Sequence, residues 1–154
     1  MRRNVVVFTE LSHDKLRPVS LEVVTAAKQI ALDGEVIAVV AGKRVPDLSA
    51  DLARYGATKV VNVECEALDG YSSDAYLQIW SDIVEKNNPD VILAPHTALG
   101  KDISPRLAVK FDLGLISDCT AVELLNERIV FTRPIYAGKA FMKRTFKDGH
   151  TVFA

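Results

Sequence analysis

The chain of 154 residues predicts an α/β fold, a doubly wound and mostly parallel Rossmann-like sheet with antiparallel strands added at its carboxyl-terminal end. Three observations carry that prediction. Short continuous apolar runs such as Val5–Phe8 and Val91–Ala94 are what strands buried on both faces require. Between them lie stretches whose apolar residues recur at helical spacing, so strand and helix alternate over the first two-thirds. After Gly114 the pattern turns to apolar–polar alternation broken by two-residue turn signals, which belongs to antiparallel strands.

Each element follows from its own residues. Val5–Phe8 is the first strand. Pro18 suits a helix start, and Val19, Val23, Ala26, Ala27 and Ile30 form the stripe of that helix, closed at Asp33-Gly34 by a left-handed glycine cap. Val36–Ala41 is the second strand, Asp47–Tyr55 a short helix stopped at Gly56, and Lys59–Val63 the third strand. Ser72 or Ser73 caps the next helix, striped by Tyr76, Ile79, Trp80 and Ile83 and ended by Asn87-Asn-Pro89. Val91–Ala94 is the fourth strand. A small-residue loop leads into a helix opening near Lys101 or Asp102, with Pro105 in its first turn and Ile103, Leu107, Ala108 and Phe111 as its stripe. Leu115–Leu125 then reads as one extended stretch, Asn126-Glu127 as a turn and Arg128–Arg133 as a strand. Ala140–Phe146 alternates, and Asp148-Gly149 signals a hairpin. The sequence stops at Thr151-Val-Phe-Ala154, inside an expected strand whose open apolar edge would invite pairing, so it is expected to be part of something longer.

The composition bounds the function. Residues 1–154 make one domain, 49% apolar and 25% charged, which argues against disorder. A formal charge of −1 with no basic block removes the electrostatic case for nucleic acid. No apolar run approaches the roughly 18 residues of a membrane span. Met-Arg-Arg-Asn leads straight into Val5–Phe8, too short for a signal-peptide core, so a cytoplasmic location is expected. Cys65 and Cys119 stand in no metal or redox spacing and read as buried small hydrophobes.

Several residues at the strand ends are candidates for chemistry. Gly100-Lys101-Asp102 at a helix start can favour an anion such as a nucleotide phosphate, or be a glycine-assisted turn with Asp102 as cap. Neither glycine-rich phosphate fingerprint is present there. Arg106 is placed to pair with Asp102 one turn away. His96, beside Thr97 at the carboxyl end of the fourth strand, is either a base or donor or a structural, partner-facing residue; no nucleophile surrounds it in sequence. Asp118, after Ser117, reads as a strand-end carboxylate on backbone amides or as a partner contact. Arg133, held extended by Pro134, pairs within the chain or across an interface. Tyr136-Ala-Gly138 reads as a bend where the backbone passes close to something. His13 and His150 fall in loops, with nothing to support a metal site.

The order and spacing of Gly100-Lys-Asp-Ile-Ser-Pro-Arg106, Leu115-Ile-Ser-Asp118 and Arg133-Pro-Ile-Tyr-Ala-Gly138 resemble the amino-terminal domain of the electron transfer flavoprotein α subunit, over Val5 to about Phe153. Lys139 departs from the asparagine that many relatives carry after Tyr-Ala-Gly. The resemblance implies an adenine-nucleotide-α-hydrolase-like domain that serves as scaffold in a heterodimer with a β subunit. That heterodimer carries electrons from flavoprotein dehydrogenases through FAD. The flavin would be held mainly by a carboxyl-terminal domain that this sequence lacks, so no cofactor, catalytic or metal-binding residue is carried over and no enzyme activity is expected of this chain. The competing expectation is a free-standing nucleotide-binding domain, similar to the universal stress proteins, using the Pro95–Asp102 loop. A small hydrolase is the weaker rival, because no nucleophile–base pair is visible.

Overall fold

The computed structural model describes residues 2–145 and the backbone of Val152 and Phe153. In chain order the strands and helices are β1 (Val5–Phe8), β2 (Leu11–Ser12), β3 (Lys15–Leu16), α1 (Pro18–Ala31), β4 (Val36–Gly42), α2 (Ser49–Tyr55), β5 (Lys59–Glu64) and α3 (Ser73–Asn87). There follow β6 (Val91–Leu93), α4 (Ala98–Phe111), β7 (Gly114–Leu115), β8 (Ala121–Leu125), β9 (Arg128–Ile135), β10 (Ala140–Arg144) and β11 (Val152–Phe153). The main sheet has the order β5-β4-β1-β6-β11-β7 and every pair in it is parallel. The direction of winding reverses between β1 and β6, so the carboxyl ends of those strands form the edge where such sheets present ligands.

Pleating divides the core. Val5 and Val7 of β1, with Val36, Ala38 and Val40 of β4, pack against Val24, Ala27 and Ile30 of α1 and Leu52 of α2. Val6 and Phe8, with Ile37, Val39 and Ile92, face Trp80 and Ile83 of α3 and Ile103 and Leu107 of α4. Phe8 and Trp80 stack with ring centroids 4.1 Å apart and planes 5° from parallel. Strands buried on both faces must be apolar at every position, which is why these runs do not alternate.

The helix ends follow local chemistry. Ser72 accepts the Ala75 amide at 3.3 Å as the α3 cap, and Asn88 takes a left-handed conformation at its end. Gly56, at φ 121°, returns its N–H to the last carbonyls of α2. That helix begins two residues later than expected, because the Asp47 carboxylate accepts the Ser49 amide instead of joining the helix. The expected left-handed cap at Gly34 is not formed: Leu32 takes φ 56° instead. Gly34 is needed for space, since a Cβ there would lie 1.7 Å from the Arg3 carbonyl oxygen.

The second half departs further. The stretch expected to run unbroken from Leu115 to Leu125 is split, β7 joining the parallel sheet and β8 a separate antiparallel sheet ordered β10-β9-β8. Asp118 turns the chain between them at φ 57°. β9 continues through Pro134 because pairing with β8 ends at Thr132, so the missing proline N–H leaves no gap in a ladder on that side. Tyr136-Ala-Gly138 is the β9–β10 hairpin turn, with φ of 51°, 55° and 84°, and among the described residues no atom lies within 4 Å of a Cβ placed at Gly138, so the expected close approach is not seen there. Asp148-Gly149 and Phe146 lie outside the described residues. Val152–Phe153 is a strand, as expected, but an interior one, inserted parallel between β6 and β7 instead of lying at an open edge.

Candidate functional site

The carboxyl end of β6 organises the residues singled out from sequence. Thr97, not Asp102, caps α4: its hydroxyl accepts the Gly100 amide at 3.2 Å and its carbonyl accepts the Lys101 amide at 2.8 Å. The helix therefore opens at Ala98, about one turn before the expected start, and Pro105 lies inside it. Gly100 is tight against the preceding loop, where a Cβ would sit 2.0 Å from the Pro95 carbonyl oxygen. With its amide taken by Thr97, Gly100 fits the glycine-assisted turn rather than the alternative phosphate cradle, with Thr97 in place of Asp102 as the cap.

Asp102 looks outward. It pairs with Arg106 at 3.3 Å, as the i,i+4 spacing required, and accepts a short hydrogen bond from the Tyr71 hydroxyl. Partial burial, then the Asp102 carboxylate that holds its proton, push the Tyr71 phenol up to about 12. Tyr71 is itself mostly exposed, so the carboxylate contact is the physically stronger cause. Nothing in the sequence linked Tyr71 to Asp102, 31 positions away.

His96 gains a carboxylate that sequence spacing hid. Its Nε2 lies 3.7 Å from Asp118 Oδ1, joining the loop after β6 to the crossover between the two sheets. Asp118 is thus not the expected strand-end acceptor of backbone amides. Both side chains are well exposed, so the pair is worth at most about 1 kcal/mol. Next to it, Cys119 is half-buried against the core, its thiol pushed up to about 11 by burial, with Asp118 adding to the rise and Arg133 opposing it. Cys65 is also only half-buried, so neither thiol is the fully buried hydrophobe expected. Arg133 makes no ion pair among the described residues, and its buried Nε has no partner there. His13 sits at φ 51° in the tight β2–β3 turn, and His150 lies outside the described residues. No group of metal-ligating side chains occurs among the described residues.

These elements line an open cleft of about 420 Å³. α1 contributes Val19, Val23 and Ala26, the flank of its apolar stripe that the sheet does not cover. The loop after β6 contributes Pro95 and His96, α4 contributes Lys101, Ser104 and Pro105, and the 115–122 crossover closes the remaining side. On the antiparallel sheet, Tyr136 and Phe141 stand 78% and 65% exposed.

The model of the electron transfer flavoprotein domain matches residues 5–154. The chain belongs to that family. It is 42% identical, over 154 residues, to the electron transfer flavoprotein subunit alpha of Bacillus subtilis strain 168, covering all of this chain and 47% of that protein. Identity to the subunit alpha of Syntrophomonas wolfei is 39% over 137 residues, 89% of this chain and 43% of the relative. The acryloyl-CoA reductase electron transfer subunit beta of Anaerotignum propionicum is 30% identical over 132 residues, 84% of this chain and 36% of that protein. The chain thus spans less than half the length of these relatives. The family's parallel sheet, flanking helices and extra antiparallel strands are those described above. Among the described residues no helix is long and apolar enough to cross a membrane.

The loop after β6 does not form the dinucleotide cradle that an FAD would need there. A dinucleotide needs a pyrophosphate cradle of free backbone amides beside a glycine-rich turn. The helix that faces the cleft has its Gly100 amide committed to Thr97, and Pro95, not glycine, enters the turn. No step through the flavin is therefore assigned to this chain.

Proposed function

We propose that these residues form the amino-terminal scaffold of an electron transfer flavoprotein α subunit. In the whole protein that subunit pairs with a β subunit and carries electrons from flavoprotein dehydrogenases, with FAD held mainly by sequence beyond this stretch. The chain itself carries no catalytic site and acts in the cytoplasm. The observation that carries this reading is the alignment of all or most of this chain with α subunits, whose matched portion is less than half of each. The geometry adds a parallel sheet, a helix start whose Gly100 amide is taken by Thr97, and exposed Tyr136 and Phe141 at the β9–β10 hairpin.

Tyr136 and Phe141 are the residues proposed to meet the β subunit, because large exposed aromatics anchor interfaces and are costly to leave in water. Arg133, buried at Nε and unpaired among the described residues, is proposed to complete its contacts at the same interface. Size-exclusion chromatography of this chain mixed with the parent's β subunit tests the proposal. Co-elution is expected, lost in Tyr136→Asp/Phe141→Asp while circular dichroism stays unchanged. Separate elution of two folded chains would refute the scaffold assignment.

A further inference from the structure

Arg3 is 9% exposed, the only charged residue so deeply buried among the described residues, and its guanidinium keeps its proton at every pH the chain meets. It makes no ion pair among the described residues, and its buried Nη1 has no hydrogen-bond partner there. Its Nη2 donates to the Glu127 carbonyl, 124 positions away. A guanidinium taken out of water without a carboxylate is costly. Glu127 is costly for a different reason. With Asn126 at φ 50° and Glu127 at φ 65°, the β8–β9 turn is of the left-handed kind that suits Asn-Gly, and glutamate has no ease there. Two unfavourable features therefore meet in one hydrogen bond. Local costs that persist together mark a contact kept for what it holds in place.

The contact joins two parts of the fold. The Arg3 amide donates to the Ala31 carbonyl at 3.2 Å, and the Arg3 carbonyl packs tightly on Gly34, so its backbone is tied to the end of α1. Glu127 stands at the tip of the antiparallel sheet, whose Val122, Leu124, Ile129 and Phe131 pack into the core cluster that α1 shares. Apolar packing of this sort draws surfaces together without direction. A guanidinium N–H aimed at one carbonyl has direction, and fixing register is the best-attested use of a buried charge.

We infer that Arg3 is a positioning residue, which pins the β8–β9 turn against the end of α1 and sets the register of the antiparallel sheet on the parallel domain. The β9–β10 turn at the opposite end of that sheet carries Tyr136, with Phe141 close by on β10, so the pin also decides where these aromatics stand. Only this second consequence rests on the proposed β-subunit surface.

Hydrogen exchange of the 154-residue chain, read by mass spectrometry, tests the pin. Arg3→Met keeps an unbranched stem and removes the charge, so the melting temperature is expected to stay within about 3 °C of the parent or to rise. The peptide covering Ala121–Ile129 is expected to exchange about tenfold to hundredfold faster, while that covering Val36–Gly42 is unchanged. Glu127→Gly keeps the carbonyl and relieves the left-handed cost, so it is expected to raise the melting temperature by about 3 °C and to retain the protection of 121–129. In titrations with the β subunit, Arg3→Met is expected to bind at least about fivefold more weakly than the parent chain. A parent chain that does not bind sinks the proposed interface and leaves exchange to judge the pin. The inference is overturned if Arg3→Met leaves the exchange of 121–129 unchanged, or if it lowers the melting temperature and speeds both peptides alike. It is overturned equally if Glu127→Gly fails to stabilise or loses the protection, or if a binding parent and Arg3→Met bind alike.

Discussion

Replacing Gly100 by alanine should destabilise this chain, against the usual direction for a helix. In an unconstrained helix interior the change gains about 1 kcal/mol, from lower backbone entropy in the unfolded state. Here the added Cβ would lie 2.0 Å from the Pro95 carbonyl oxygen and 3.2 Å from its carbon, where real Cβ atoms essentially never come within 3.0 Å. The corner between β6 and α4 must therefore open by about 1 Å. The clashing atom is backbone, fixed on one side by the buried strand and on the other by the Thr97 cap, so no side chain can swing away. Overpacking of this kind costs about 1–3 kcal/mol, and the rigid neighbour places it at the upper end, leaving a net loss of about 1–2 kcal/mol. With a urea m-value near 2 kcal/mol/M, the unfolding midpoint should fall by about 0.5–1 M. Gly70→Ala is the control. It meets open space at φ +90°, so only backbone strain of about 1 kcal/mol should appear. A Gly100→Ala chain as stable as the parent, or more so, would refute the close-approach argument.

Other consequences follow from the same structure. Trp80→Ala removes a buried ring stacked on Phe8 and should cost about 4 kcal/mol in urea unfolding followed by circular dichroism, whereas Trp80→Phe should cost less than half of that. Asp102→Asn should bring the Tyr71 phenol down from about 12 towards 10, read from the pH dependence of its ring carbons by NMR. Alkylation of Cys119 should stay slow until the pH nears 11, followed by mass spectrometry of the site. Because the fold favours the protonated thiol, the stability it contributes is fully present below about pH 9 and is lost as pH rises towards 11; Cys119→Ala should flatten that part of the pH–stability curve.

The parallel half was legible because a strand buried on both faces has no choice but a continuous apolar run, and Val5–Phe8 and Val36–Gly42 are such runs. Caps were legible where one side chain decides them, as with Ser72 and Gly56. The start of α4 was missed because Pro105 suggested a first turn, while Thr97 was the stronger cap. The break between β7 and β8 carries no glycine or proline; Asp118 accepts the left-handed conformation itself. Pairing of β11 with β6 and β7 joins segments about 60 and 40 positions apart, which local pattern cannot report. Contacts of the candidate site were the least visible. His96 meets Asp118 and Tyr71 meets Asp102 only after the sheet has wound.

The flavin content of the purified chain tests the central assignment most directly. Expressed with ample riboflavin and dialysed, it should be colourless, with no flavin absorbance band and no flavin released on denaturation. One tightly held FAD per chain would contradict the assignment of this half to support and the other half to the redox group.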